Sequence, residues 1–600
     1  MRDLVLISCP GRHDGGERIL DLARWMGVMA RKVTLGEHPT KDHLVRELGG
    51  DRRAVVLSAG TLHFLRERLS SGVLREFIDE HCAQLLVFSV RVSEQPGNLF
   101  HWLTNGAIHS LAASEAVQSF RFPDSSRLFS GPFFGQSFLA SRATALSTFA
   151  LSATSSAGIE SILLANERPV FLRMQRGACE LFLIAADELP DIHAPLDVSG
   201  GLEEHYGRLI PLLIFLRHSF GDMCWHGAGS TAHLIIDDPL LEPTYGYLNY
   251  AALKQSMRTA GYATSIAFIP WNHWRTSKAK AAQALGEDEN LSICVHGCDH
   301  TNREFDDLDP GSLGWKAATA LGRLEHHKLR TGVPFDPVMV FPQGKFASPA
   351  LAALRTSGYL AAVNTTCFPT NAGDAPITIA DILRPAIMKF DGFPIFQRRY
   401  PQRLIDFAFD VFLGRPVLLV QHHDDFRDGY EKIETFVERL RTIEPNLTWP
   451  PLAEQLMESC VIRSLGEGSQ EVRFFTREFR FKRSAETPTR IVFSKEEPDA
   501  AAVSSVLVNR THVPFSFRDG LLIFEHQAEA GQSIEVTVRD KPRIAAPASR
   551  RLGSVTHMAN VCVRRALSEF RDKALVKHPG VLAAATGIAR RLKTTGDGVR

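Results

Sequence analysis

One pattern repeats between residues 231 and 460 and constrains this chain more than any other: short apolar runs, often β-branched, each stop at polar, metal-capable or helix-breaking residues. Leu234-Ile235-Ile236 runs into Asp237-Asp238-Pro239, and residues 263–269 run into Pro270-Trp271-Asn272. Leu291-Ser292-Ile293-Cys294-Val295 ends in His296-Gly297-Cys298-Asp299-His300. Residues 338–341 give way to Pro342-Gln343-Gly344-Lys345, residues 360–364 follow, and residues 416–420 end in Gln421-His422-His423-Asp424-Asp425. Amphipathic segments at 248–260, 315–330 and 349–357 lie between them. Runs this short, closed by breakers, read as buried parallel strands. Strands alternating with helices, with functional groups gathered where the strands end, predict a β/α barrel whose carboxyl-end rim is the working face.

The remainder of the 600 residues is too long for one core and divides by texture. Residues 1–125 alternate apolar runs (4–7, 32–35, 54–57, 84–88) with amphipathic segments (17–29, 61–69), the rhythm of a small doubly wound, Rossmann- or flavodoxin-like α/β domain. The glycine-rich stretch Pro10–Gly16 fits neither dinucleotide nor phosphate-loop spacing. Residues 126–230 read as a mixed α/β extension, with strands at 133–139, 160–164, 169–174 and 180–184 and a helix over 206–220. Period-two alternation over 461–544 predicts a small antiparallel β sandwich. The last stretch, 545–600, is a basic helical tail: from Lys541 to Arg600 there are thirteen Lys/Arg against three Asp/Glu. Within it Val563, Leu567, Phe570 and Ala574 share a helical face, which suits packing back on the body or, alternatively, a membrane or partner surface.

A formal net charge of +1 gives the whole chain no pull toward nucleic acid. Nine scattered cysteines are odd in number and form no disulfide framework, and no apolar run approaches the ~20 residues of a spanning helix. We therefore expect a cytoplasmic protein whose basic tail could meet the inner face of the membrane or a glycosyltransferase; nothing in the chain indicates its oligomeric state.

Two adjacent carboxylates at a strand end repel each other unless a cation lies beside them. His296 and His300, four apart at another strand end, together with Asp238 make two imidazoles and one carboxylate, a donor set that leaves positions open and suits a catalytic divalent metal, zinc first. Cys294 and Cys298 interleave with the histidines but lack a partner pair at structural-zinc spacing, so they read as core thiols.

In this order the motifs resemble those of the polysaccharide deacetylases of the NodB type, carbohydrate esterase family 4. Ile235–Pro239 is similar to the family's Thr-Phe-Asp-Asp-Gly, His296–His300 to its His-(Ser/Thr)-x-x-His, Val340–Gly344 to its Arg-x-Pro-x-Gly, and Leu418–Asp424 to its last strand ending in His-Asp. The resemblance covers about 231–430. It implies that Asp238, His296 and His300 hold the metal, that Asp237 is the general base, and that His423, or else His422, is the acid. It also implies that the turn at Trp271, Pro342, Gly344 and Lys345 borders the substrate. The chain departs from the pattern at Pro239, at Gly297 and at Val340, which stands where the family carries an arginine that braces the catalytic Asp; Lys345 or Arg384 are the expected substitutes. The implied function is removal of acetyl groups, N-acetyl foremost, from a glycan or lipid-linked oligosaccharide, as in bacterial exopolysaccharide synthesis. The alternatives are a non-catalytic glycan-binding or scaffolding protein and a related-barrel glycoside hydrolase. The last would need two carboxylates flanking a sugar bond rather than side by side.

Overall fold

The computed structural model describes residues 3–9, 15–89, 97–151, 158–186, 188–196, 201–286, 289–371, 376–482, 489–542 and 554–573. The first 186 residues contribute one nine-stranded sheet, so the first two segments read from the sequence are a single layer. From the edge strand Ala30–Thr34 through Leu4–Ser8, Arg53–Ser58 and Cys82–Phe88 to Cys179–Ile184 it is parallel. Beyond that it continues antiparallel through Arg168–Arg176, Ile159–Ala165, Ile108–Arg121 and Ser137–Leu151. The expected strand at 133–139 is displaced: Gly131–Phe133 is a helical turn, and the strand begins at Ser137. Its long partner, Ile108–Arg121, is Ala/Ser-rich and carries no clean alternation. Residues 10–14 of the glycine-rich stretch lie outside the described residues. The helix Tyr206–Phe220 is apolar on all sides and buries Leu209, Leu213 and Phe215 in a core shared by the sheet and the barrel behind it.

Seven parallel strands close that barrel: β1 (Ala232–Asp237), β2 (Thr264–Phe268), β3 (Leu291–His296), β4 (Asp336–Val340), β5 (Ala361–Asn364), β6 (Ile395–Arg399) and β7 (Val417–His422). The helices between them start and stop where the side chains dictate. Asn249 caps Tyr250–Ala260 by accepting the Ala252 N–H at 3.0 Å, and Gly261 at φ 64° ends it. Asp309 caps Pro310–Thr331 through the N–H groups of Gly311 and Ser312, and Gly332 at φ 81° ends that one.

Strand periodicity sets what enters the barrel. Ile235, Ala267, Cys294, Val338, Val340, Phe396 and Leu418 form the interior cluster, whereas Leu234, Ile236, Ile266, Ile293, Val295, Met339 and Leu419 face the surrounding helices. Asp237, His296, Arg398 and His422 lie two or four residues beyond Ile235, Cys294, Phe396 and Leu418 on the same face. All four therefore point inward at the carboxyl end. Trp225, Leu452, Leu456, Val461 and Phe475 extend the same cluster at the amino end, so the barrel is closed below and polar above.

The expected sandwich is present as a six-stranded and a four-stranded sheet. Phe474, Phe493 and Phe524 of the first meet Phe479, Phe481 and Val536 of the second. It is fastened to the barrel by Arg355, whose fully buried side chain lies 2.9 Å from Glu497 and 2.9 Å from Asp540. Among the described residues no helix is long and apolar enough to cross a membrane.

The helix α1 (Val555–Lys573) packs on the barrel, but not with the face its pattern suggests. Val563, Leu567 and Phe570 are 60%, 64% and 58% exposed, and Ala574 lies outside the described residues. The face turned inward is polar: Lys573 reaches Glu242 at 2.7 Å, His557 Nε2 lies 2.8 Å from Asp299, and Tyr245 donates to Asp572 at 2.9 Å. The barrel rim offers mainly charged partners here, so charge rather than apolar area decides which face docks; the apolar anchor is Val561 against Ile269 and Trp271.

Glu497 keeps Arg477 at 2.7 Å and Lys495 at 3.6 Å when Arg355 is removed, but Asp540 and Glu497 lose their shared fork. Arg355→Met is expected to destabilise the protein by about 3 kcal/mol, the cost of breaking a buried pair, read as a lowered thermal midpoint against wild type. An unchanged midpoint would show that the junction does not depend on this charge.

Candidate metal centre

β1 delivers Asp237 on the inward face, and the chain then turns sharply at Asp238, whose φ of 83° is a left-handed conformation rare for a non-glycine residue. The two carboxylates are thereby aimed at different partners. Asp237 is gripped by the Arg398 fork, with Nη1 to Oδ1 and Nη2 to Oδ2 both at 2.6 Å. Arg398 is 3% exposed and stands on β6, two strands from Asp237 in the closed barrel. Burial would raise the Asp237 pKa, but the charges of Arg398 and His296 outweigh it and hold the carboxyl below its usual range.

Asp238, 8% exposed, faces three imidazoles. Its Oδ1 lies 3.3 Å from His296 Nε2 and 3.1 Å from His300 Nε2, and its Oδ2 lies 2.9 Å from His422 Nε2. Burial again opposes ionisation, and the imidazoles reverse it, so its pKa falls well below the ordinary carboxylate range.

The proton positions decide what this cluster wants. His296 Nδ1 is 3.0 Å from the Val340 carbonyl, which can only accept, so Nδ1 carries the hydrogen. In its neutral form His296 then turns the Nε2 lone pair toward Asp238 Oδ1, an oxygen that makes no hydrogen bond of normal geometry. Acceptor facing acceptor in a buried pocket is repulsive unless a cation lies between them. Without a metal that cation is a proton: burial lowers the His296 pKa, yet Asp238 and Asp237 overcome this and raise it. His422 behaves likewise and is pushed up to about 10, burial being outweighed by Asp238 and Asp424. A divalent cation relieves the same repulsion. The donor atoms of Asp238, His296 and His300 lie within 4.8 Å of one another, and these residues fit such an ion.

The loop behind the histidines is organised by Glu304, which the motif reading missed. Its buried carboxylate accepts the N–H groups of Cys298 (2.9 Å), Asp299 (2.7 Å) and His300 (3.2 Å), holding His300 at φ 56°. Gly297, at φ 64°, leaves no room for a side chain, because a Cβ would collide with Pro342 and Glu304. The family's Ser or Thr therefore cannot be accommodated in this geometry. Pro342 thus backs the histidine loop. Asn364 donates to the Gly344 carbonyl at 2.9 Å, and Lys345 is exposed. Cys298, Asp299 and Glu304 also cluster, but Glu304 is occupied by those backbone donors and Asp299 by Arg323 and His557. The thiols of Cys294 and Cys298 are buried and pushed well above their ordinary pKa by that burial.

Three expectations need revising against this geometry. Neither Lys345 nor Arg384 braces Asp237: Arg384 pairs with Glu496 of the C-terminal sheet, and Arg398 takes the role. His423 is wholly buried, its ring edge-on to Tyr245 at 5.0 Å and its Nε2 3.6 Å from Asp572; His422 is the one that meets Asp238. Trp271 is 6% exposed, with Arg323 stacked 5.0 Å from its ring, whereas Trp274 is 56% exposed.

No family model matches the chain, and no curated protein matches it. Among solved structures it is similar to Agd3, described as a carbohydrate deacetylase, at 10% identity over 90% of this chain and 98% of that one, with a TM-score of 0.44. It is also similar to a family 4 carbohydrate esterase from Streptomyces lividans (13% identity, 37% of this chain and 92% of that one, TM-score 0.22). A CE4 family pseudoenzyme from Bacillus anthracis is similar at 10% identity over 37% of this chain and 64% of that one, with a TM-score of 0.23.

Proposed function

We propose that this protein is a metal-dependent hydrolase that removes acetyl groups, N-acetyl foremost, from a glycan or lipid-linked oligosaccharide. The observation that carries this reading is the convergence of three metal-capable side chains, Asp238, His296 and His300, beside a second carboxylate, Asp237, held ionised by Arg398. When bound, a divalent cation such as zinc lowers the pKa of a water and polarises an amide carbonyl. Asp237 is the general base: it is ionised, inward-facing and one residue from the metal ligand, with Arg398 fixing its rotamer. Accepting a proton from the attacking water weakens its pair with Arg398, and the fork on both oxygens keeps the carboxyl in place while it does so. His422 is the general acid. Its Nε2–H, oriented by Asp238 Oδ2, can be given to the leaving amine, and Asp424 at 3.7 Å from Nδ1 favours the charged form. Buried His423 serves as the wall behind it.

The non-catalytic alternative rested on the arginine missing at Val340. Arg398 places a guanidinium against Asp237 from another strand, which supports the catalytic reading over that alternative. A glycoside hydrolase finds no support in an adjacent acid pair of which one member is enclosed by imidazoles.

Two measurements test the proposal. Calorimetry of the metal-stripped protein is expected to show tight zinc binding that His296→Ala weakens at least about 100-fold; equal binding by both proteins would overturn the metal site. Acetate release from N-acetylated oligosaccharides is expected to fall about 10³-fold in Asp237→Asn with zinc affinity retained. In Arg398→Met the expected fall is about 10²-fold, because the base is then neither oriented nor held ionised. Undiminished release in both variants would remove Asp237 from the chemistry.

A further inference from the structure

Beside the candidate metal centre lies a cavity lined by a guanidinium that no hydrogen bond or ion pair among the described residues answers. It has a volume of about 440 Å³ and is walled by Trp271, Trp274 and Arg275 of the turn after β2 and by Arg565, Glu569 and Phe570 of α1. The Trp271 N–H donates to the Cys298 carbonyl at 3.0 Å, so the cavity shares a wall with the loop carrying His296 and His300. Most of its charges are matched. Arg275 is forked onto Glu569, with Nη2 2.8 Å from Oε2, and Lys573 at the far end is held by Glu242.

Arg565 is different. It is 4% exposed, its Nε is a buried donor without a partner, and among the described residues no hydrogen bond or ion pair reaches its side chain. Taking a guanidinium out of water without an acceptor is costly, and buried charges are ordinarily paired. The neighbouring Arg275 does not answer it: burial and then the charge of Arg565 push the pKa of Arg275 down. What is missing is an anion. The two aromatic faces that border the opening, Trp274 at 56% and Phe570 at 58% exposure, are flat apolar surfaces of the kind that stack on sugar rings.

We propose that this cavity binds a carboxylate carried on a sugar ring, with the Arg565 guanidinium as its donor and Trp274 and Phe570 against the ring, so that the glycan taken by the neighbouring centre is an acidic one. The fork of arginine matches a carboxylate on two parallel hydrogen bonds, which a hydroxyl of a neutral sugar cannot offer. The substrate class rests on the deacetylase reading; the anion site does not.

The test uses the zinc-loaded full-length protein carrying Asp237→Asn to arrest turnover, titrated calorimetrically with two tetrasaccharides. One alternates glucuronic acid and N-acetylglucosamine; the other is neutral N-acetylchitotetraose. The acidic sugar is expected to bind about tenfold tighter or more. Adding Arg565→Gln should abolish that preference while leaving affinity for the neutral sugar unchanged, which shows the cavity intact; Arg565→Lys should restore part of it, and Trp274→Ala should weaken both sugars. Equal affinities, or a preference that survives Arg565→Gln, would overturn the proposal. Inorganic phosphate titrated alone is expected to bind at least about 100-fold more weakly than the acidic sugar; equal affinity would mean a small-anion site and defeat the sugar assignment. Acetate release by wild type is scored separately. An acidic preference with no acetate from either sugar refutes the deacetylase reading and leaves the anion site standing. Acetate from both sugars without the preference does the reverse.

Discussion

The two carboxylates at the end of β1 govern the architecture of the barrel mouth. Side by side and largely withdrawn from water, Asp237 and Asp238 would repel each other and tend to protonate. The protein separates them by a left-handed turn at Asp238 and answers each with a different kind of cation. Asp237 receives a permanent one, the Arg398 guanidinium, which holds geometry as well as charge. Asp238 receives imidazoles, whose charge is conditional and which a metal can replace. The first carboxylate is therefore fixed in orientation by a permanent charge, while the second faces partners whose charge can change.

Much of this site was legible because the strands report it in their spacing. Asp238, His296 and His300 meet as their positions at two strand ends require, and the closed seven-stranded barrel follows from the alternation of apolar runs and helices. Arg398 was not read, because Ile395-Phe396-Gln397-Arg398-Arg399 is short and charged at its end, and looks like loop until its parity with the barrel interior is known. The choice between His422 and His423 was open to the same parity argument: Leu418 is interior, so His422 is as well. A motif ending in His-Asp favours His423, but Asp424 contacts both rings and does not distinguish them. Glu304 was out of reach, since its role is to accept backbone N–H groups of a loop whose path only the fold defines. Of the strand pair, Ile108–Arg121 was missed and Ser137–Leu151 was placed too early for a simpler reason: their Ala, Ser and Thr residues carry little hydrophobic periodicity.

The C-terminal helix inverts the usual rule that the apolar stripe faces the body. Its polar face meets a rim already rich in charge, where Glu242, Arg275 and Asp299 each take a polar partner from the helix. The helix is thereby tied to the site through Asp572, which stands within 3.6 Å of His423 and accepts the Tyr245 hydroxyl. Because it docks by charge, its seat depends on the partnering of charged groups at the mouth in a way a hydrophobic interface would not. The outward apolar face is left without a partner among the described residues, while the inward face brings Arg565 to the margin of the candidate metal centre. A segment that reads in sequence as a basic tail separate from the chemistry thus forms one wall of the cavity beside it, and that cavity would lose its unpaired guanidinium and one of its two stacking faces if α1 were detached.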